Sequence, residues 1–178
     1  MPAKSGRLNE KDGISLRKAI AISIRDRSIN NTGIMFEIEE RLAAKGITLD
    51  AVVVAGMELY VSHGIDQAAA GVRLRELIEK ALTDPNISSL LLGAILLEDE
   101  LYVKRKDSEI KDDPVFLLSD EIIGMAIAEC IGGTYARFEF TRYDQKKPGI
   151  LGTLGPFLDD AIAGLIAGCT SRLYSESS

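Results

Sequence analysis

Between Gly149 and Ser171 the only charged residues are Asp159 and Asp160, side by side in a stretch that is otherwise apolar, small or glycine. Carboxylates are costly in apolar surroundings unless they are paired or bind a cation. A membrane span is a poor solution, because two carboxylates would lie at mid-bilayer and Gly155-Pro156 would break the helix. A buried helix inside a globular domain fits better, starting near Gly155-Pro156 and running to about Tyr174. It must be wrapped by other elements, so the pattern of the remaining chain decides the fold.

That pattern is helical. From Ser15 onward apolar residues fall mostly at helical spacing, with start and stop signals between them. Ser15 can cap a helix carrying Ile20 and Ile24, and a second helix spans about Ile34 to Ala44 with Gly46 as its terminator. Thr48 or Asp50 can open a third, passing Val54 and Tyr60 to Gly64. Asp66 opens a fourth that reaches Leu82 and is closed by Asp84-Pro85. A further helix covers about Ser88 to Val103, and Glu98, Asp99 and Glu100 read as the solvated face of its charged end. Asp113-Pro114 suits a helix opening, and that helix carries Asp120 and Glu121 to Gly132-Gly133. Tyr135 to Tyr143 fits either a strand or a short helix. Sustained strand alternation and hairpin dipeptides are nearly absent, so the expected fold is all-α.

The 178 residues suit one domain, with 1–12 as a polar tail and 13–178 as a single multihelical domain. A net charge of -6 argues against broad binding to nucleic acid or an anionic membrane surface. It leaves room for a small anionic substrate, since a local cluster or a divalent cation overrides the global sign. Cys130 and Cys169 lie far apart in apolar sequence without zinc-type spacing, as expected of two reduced core thiols. The start, Met-Pro-Ala-Lys-Ser-Gly-Arg, lacks the apolar centre of a signal peptide, and no apolar run reaches the length of a transmembrane segment. The expected compartment is the cytoplasm.

Three charged motifs interrupt the apolar last third: Asp120-Glu121-x-x-Gly124, Arg142-Tyr143-Asp144-x-x-Lys147-Pro148, and Leu158-Asp159-Asp160-x-x-Ala163-Gly164. On the last helix Asp160, Gly164 and Gly168 share a face, and Glu121, Gly124 and Ala128 form a matching strip of small residues upstream. Two helices packed along such strips would bring Glu121 close to Asp159 and Asp160. Converging carboxylates repel unless protonated or bridged by a cation, and hard oxygen ligands favour Mg2+, or Mn2+, over zinc. Arg142 offers a bidentate fork for phosphate and Lys147 a point charge. Gly149, Gly152 and Gly155 follow at three-residue spacing and could turn backbone N–H groups towards a phosphate. The bland reading makes Asp159 and Asp160 simple helix caps and Asp120 and Glu121 solvent-facing. No P-loop, nucleophile elbow or cysteine–histidine pair is present.

Together, in order, spacing and residue type, the three motifs resemble the phosphatidylglycerophosphatase A superfamily of magnesium-dependent phosphatases. From about Ile47 to Tyr174 the chain is most similar to its archaeal α-ribazole phosphatase branch. The similarity runs through Met57-Glu58-Leu59-Tyr60-Val61, Glu79 to Asn86, Asp113 to Leu117, Gly124 to Glu129 and Lys147 to Gly152, and is strongest from Gly155 to Gly168. That branch tends to carry Val-Pro-His-Pro where this chain has Val61-Ser62-His63-Gly64. The resemblance implies a Mg2+-dependent phosphomonoesterase in which Glu121, Asp144, Asp159 and Asp160 hold metal. Asp144, Asp160 and Lys147 carry catalysis, Arg142 and Lys147 hold the phosphate, and Asp120 and His63 stand as additional candidates. It also supplies the expected substrate, α-ribazole 5′-phosphate on the way to cobalamin, with phosphatidylglycerophosphate as the alternative. A non-catalytic helical module that binds a metal or a partner is the competing class. The small-residue strips would equally serve packing between subunits in a homo-oligomer.

Overall fold

The computed structural model describes residues 38–62, 64–103 and 117–176, all within one compact unit, Met35–Ser178. The expected tail at 1–12 and the helix after Ser15 lie outside the described residues. Among the described residues every regular element is helical, and no strand occurs.

Residues 38–44 form α1, which ends where the sequence places Gly46. Gly46 takes φ +80°, its N–H reaches Ala43 O at 2.9 Å, and Ile47 N–H reaches Leu42 O at 2.9 Å. This left-handed closure favours glycine. Thr48 opens α2 (Leu49–Glu58), its hydroxyl accepting from Ala51 N–H at 3.2 Å. The helix stops earlier than its apolar spacing suggests, because Tyr60 is drawn to other partners. Its ring stacks on Tyr174 at 5.9 Å, and its hydroxyl donates to Ile65 O at 3.1 Å.

Asp66 caps α3 (Gln67–Leu82) and Asp84 caps α4 (Pro85–Glu98), each carboxylate accepting an N–H two residues on at 2.8 Å. Asp84-Pro85 therefore both closes one helix and opens the next, where a start near Ser88 was expected. Proline at the first helical position loses no hydrogen bond, which makes this punctuation favourable. A π-turn, Asp99–Val103, extends α4.

The helix carrying Asp120 is α5 (Ser119–Gly132). It begins after the non-helical Leu117 and Leu118, so Pro114 is not its first residue. The ambiguous segment forms α6 (Ala136–Lys146), with Ala136, Phe140 and Tyr143 buried at helical spacing. A 3-10 turn (Gly149–Thr153) leads to α7 (Pro156–Glu176).

Helix α7 is buried continuously from Pro156 to Thr170 and packs against α2, α3, α4, α5 and α6. A helix apolar on all sides belongs at a core centre, as its composition demands. Its closest neighbour is α5, through glycines. A Cβ on Gly164 would lie 2.1 Å from Gly124 O, and one on Gly124 would lie 2.6 Å from Asp160 O. One turn on, a Cβ at Gly168 would meet Ile131 Cβ at 2.6 Å. The glycine strips let two backbones touch, which brings the acidic starts of both helices together.

Of the two cysteines only Cys169 is in the core. Cys130 is exposed, which corrects the expectation of two buried thiols.

Candidate active site

Four aspartates converge where the first turns of α5 and α7 meet the end of α6. Asp120, Asp159 and Asp160 are buried, at 1%, 4% and 2% exposure, and Asp144 is half-buried. Burial is the largest influence on Asp160, followed by the charges of Asp159, Asp144 and Asp120 and a hydrogen bond with Asp144. Together they push its carboxyl up to about 9. Near neutral pH Asp160 therefore holds its proton. Its Oδ2 receives no hydrogen bond from any of the described residues.

Lys147 supplies the positive charge. Its ammonium pairs with Asp159 Oδ2 and lies 4.0 Å from Asp144 Oδ1. Partial burial works to lower the lysine's pKa, but the hydrogen bond to Asp159 and the charges of Asp159, Asp144 and Asp160 outweigh it and raise it. The placement depends on an uncommon backbone. Lys147 closes α6 at φ 42° and ψ 56°, its N–H bonded to Tyr143 O at 2.8 Å. A left-handed conformation costs a side-chain-bearing residue about 1–2 kcal/mol. The ion pair with buried Asp159 offsets that cost, and such strain gathers at functional sites.

The neighbouring expectations separate by helical phase. Residues one apart differ by about 100° and residues two apart by about 200° on a helix. Asp120, Gly124 and Ala128 share the buried face of α5, whereas Glu121 is exposed. Its N–H donates to Asp120 Oδ1 at 2.9 Å. Asp120 thus takes the place expected of Glu121, because an i, i+4, i+8 strip, not i, i+3, i+7, faces α7.

Arg142 likewise points away from Asp144. Its guanidinium grips Glu139 at 2.7 and 2.9 Å and donates to Leu59 O at 2.9 Å, tying α6 to α2. The fork expected to hold phosphate is engaged by protein partners. Between the two, Tyr143 is buried, and its hydroxyl donates to Gly56 O at 2.7 Å. His63 lies outside the described residues.

Glu98 was read as solvated and is instead buried, at 7% exposure. Its Oε2 accepts from Phe157 N–H at 3.1 Å, while the next amide, Leu158 N–H, donates to Gly155 O at 3.1 Å. Gly155, at the start of α7, has no side chain to cap the helix, and Pro156 has no N–H. The carboxylate of α4 fills the role. A Cβ at Gly155 would sit 1.6 Å from Glu98 Oε1, so the glycine makes room for this cap and not for a phosphate. Glycine at a helix start with no cap of its own was the available signal. Beyond it, Asp99 pairs with Lys45.

The cluster can exchange a proton at Asp160 and present an ammonium beside carboxylates. Its donors are hard oxygens, suited to Mg2+ or Mn2+. Among the described residues, however, no three acidic, histidine or cysteine side chains stand as a ready group for a metal ion. The donor chemistry fits a hard cation; a preformed cage is not present.

Comparison with known proteins covers most of this unit. A family model described as phosphatidylglycerophosphatase A matches residues 51–175. An uncharacterised protein of Methanocaldococcus jannaschii is 45% identical over 124 residues, covering 67% of this chain and 98% of that protein. A protein of unknown function from Bacillus stearothermophilus superposes with a TM-score of 0.68 at 20% identity, over 81% of this chain and 95% of that one. The low temperature requirement C protein of Listeria monocytogenes gives 0.67 at 21% identity, over 80% and 96%. The structural likenesses speak to the fold. No helix among the described residues is long and apolar enough to cross a membrane.

Proposed function

Since this chain belongs to the phosphatidylglycerophosphatase A family, which suggests a phosphatase, we propose that it is a divalent-cation-dependent phosphomonoesterase acting on α-ribazole 5′-phosphate. The observation that carries the reading is the convergence of Asp144, Asp159 and Asp160 around the Lys147 ammonium, with Asp120 beside Asp160. Such a cluster is unfavourable by itself, because buried like charges force a proton onto one member.

Asp144, Asp159 and Asp160 would hold Mg2+ or Mn2+, with Asp120 behind them. When bound, the cation supplies charge neutralisation and Lewis-acid polarisation of a phosphoryl oxygen. Lys147, anchored by Asp159, places its ammonium where a phosphate oxygen gains charge. In hydrolysis water oxygen bonds to phosphorus, the ester P–O bond breaks and the released alkoxide takes a proton. In the cation-free cluster Asp160 holds a proton near neutral pH, and it would give that proton up on binding the cation.

The choice of α-ribazole 5′-phosphate rests on the similarity of the three motifs to the archaeal branch. Phosphatidylglycerophosphate is favoured by the family's own description. Phosphate release by the purified full chain with Mg2+, measured on both substrates, decides between them. Faster turnover of α-ribazole 5′-phosphate is expected, and preference for the lipid would reassign the substrate. Inactivity on both with cation binding retained would make the chain a non-catalytic binding module.

A further inference from the structure

We propose that Glu98 is a positioning residue for the aspartate pair on α7. It lies on another helix and outside all three acidic motifs. The amide it binds, Phe157 N–H, lies two residues before Asp159. This is the second helical position, where a capping side chain normally accepts. Gly155 cannot provide one, and a Cβ there would collide with Glu98 Oε1 at 1.6 Å. The cap is thus supplied in trans by a buried carboxylate, and it fixes the first turn of α7 to the end of α4.

That anchorage has a consequence for the site. Asp159 meets Lys147 and Asp160 meets Asp144 only if the first turn of α7 keeps its place against α6. The other side of that turn is already set by contact of Gly124 with Asp160 O. Glu98 holds the opposite, leading edge. Its loss frees the buried Phe157 N–H and lets the turn fray, displacing the aspartates while the rest of α7 stays packed.

The test exchanges the trans cap for a cis cap. Glu98→Ala removes the carboxylate. Gly155→Ser puts an acceptor at the ordinary cap position, and the three atoms nearest its Cβ would all belong to Glu98. Hydrogen exchange of the Phe157 amide is read first and does not depend on turnover. Glu98→Ala should speed it at least roughly 10-fold, Glu98→Gln should retain part of the protection, and the double variant should restore it.

The activity arm rests on the phosphatase reading. There Glu98→Ala should lower kcat roughly 10- to 100-fold with KM little changed. The Glu98→Ala/Gly155→Ser double variant should recover most of that kcat, although Gly155→Ser alone is impaired. Unchanged Phe157 exchange in Glu98→Ala would overturn the cap. Restored exchange without restored kcat would overturn the positioning role. If Glu98→Ala does not fold, the comparison is made between Glu98→Gln and the double variant, and an equally unfolded double variant overturns the proposal. A wild-type chain that releases no phosphate, yet shows the exchange pattern, would refute the phosphatase reading and leave the cap standing.

Discussion

Replacing Asp160 with asparagine should make the cation-free protein more stable. Asp160 starts from 3.8 in the unfolded chain and is pushed up to about 9 in the fold, by burial and then by Asp159, Asp144 and Asp120. Between those values the native state binds a proton that the unfolded state has lost. Stability contributed by that proton is therefore full below 3.8 and is lost as pH rises towards about 9. At pH 7 the difference corresponds to roughly 4 kcal/mol, and solvent screening on the open side of the cluster reduces it to on the order of 2 kcal/mol. Asparagine keeps the shape and removes the titration. In a domain of this size the relief raises Tm by about 4–8 °C. Thermal melts of chelator-treated wild type and Asp160→Asn are compared at about pH 7 and about pH 4.5, where the gain should shrink to roughly a quarter. An unchanged or lower Tm at pH 7, or a gain independent of pH, would refute the reasoning.

Lys147→Met leaves buried Asp159 without its ammonium, so urea unfolding should show a loss of about 1–3 kcal/mol. Phosphate release by the folded fraction should fall about 100-fold or more. Gly164→Ala drives a Cβ towards Gly124 O, 2.1 Å away on the facing backbone. It should destabilise by about 3 kcal/mol or more in urea titration, and a neutral result would contradict the α5–α7 packing. Arg142→Ala removes the link from Glu139 to Leu59 O. Stability should drop by about 1–2 kcal/mol while KM for the phosphate ester changes less than about threefold; a large rise in KM would return Arg142 to the phosphate site.

The fold was legible where local chemistry sets it. Thr48, Asp66 and Asp84 cap their helices because a short oxygen-bearing side chain can satisfy free N–H groups without tertiary help. The glycine strip of α7 and its match on α5 were visible as spacing, since close backbone approach needs residues without bulk. Two kinds of information were not local. Helical phase separates Asp120 from Glu121 by about 100°, and adjacent acidic residues give no sign of which one faces the core. The partner of a polar group was equally hidden. Arg142 looked free for phosphate until Glu139 and the Leu59 carbonyl were brought to it, and Glu98 looked solvated until α7 presented the uncapped Phe157 amide. The end of α2 was misjudged because Tyr60 follows its ring partner Tyr174, distant in sequence.

Cation dependence of phosphate release tests the central claim most directly. The purified chain, stripped with chelator, is titrated with Mg2+ on α-ribazole 5′-phosphate and on phosphatidylglycerophosphate, beside Asp160→Asn. Release should be absent without cation and rise saturably with Mg2+ in the wild type, and stay near background in the variant at every concentration. Equal release with and without chelator, or full activity in Asp160→Asn, would contradict a cation-dependent phosphatase site built on these aspartates.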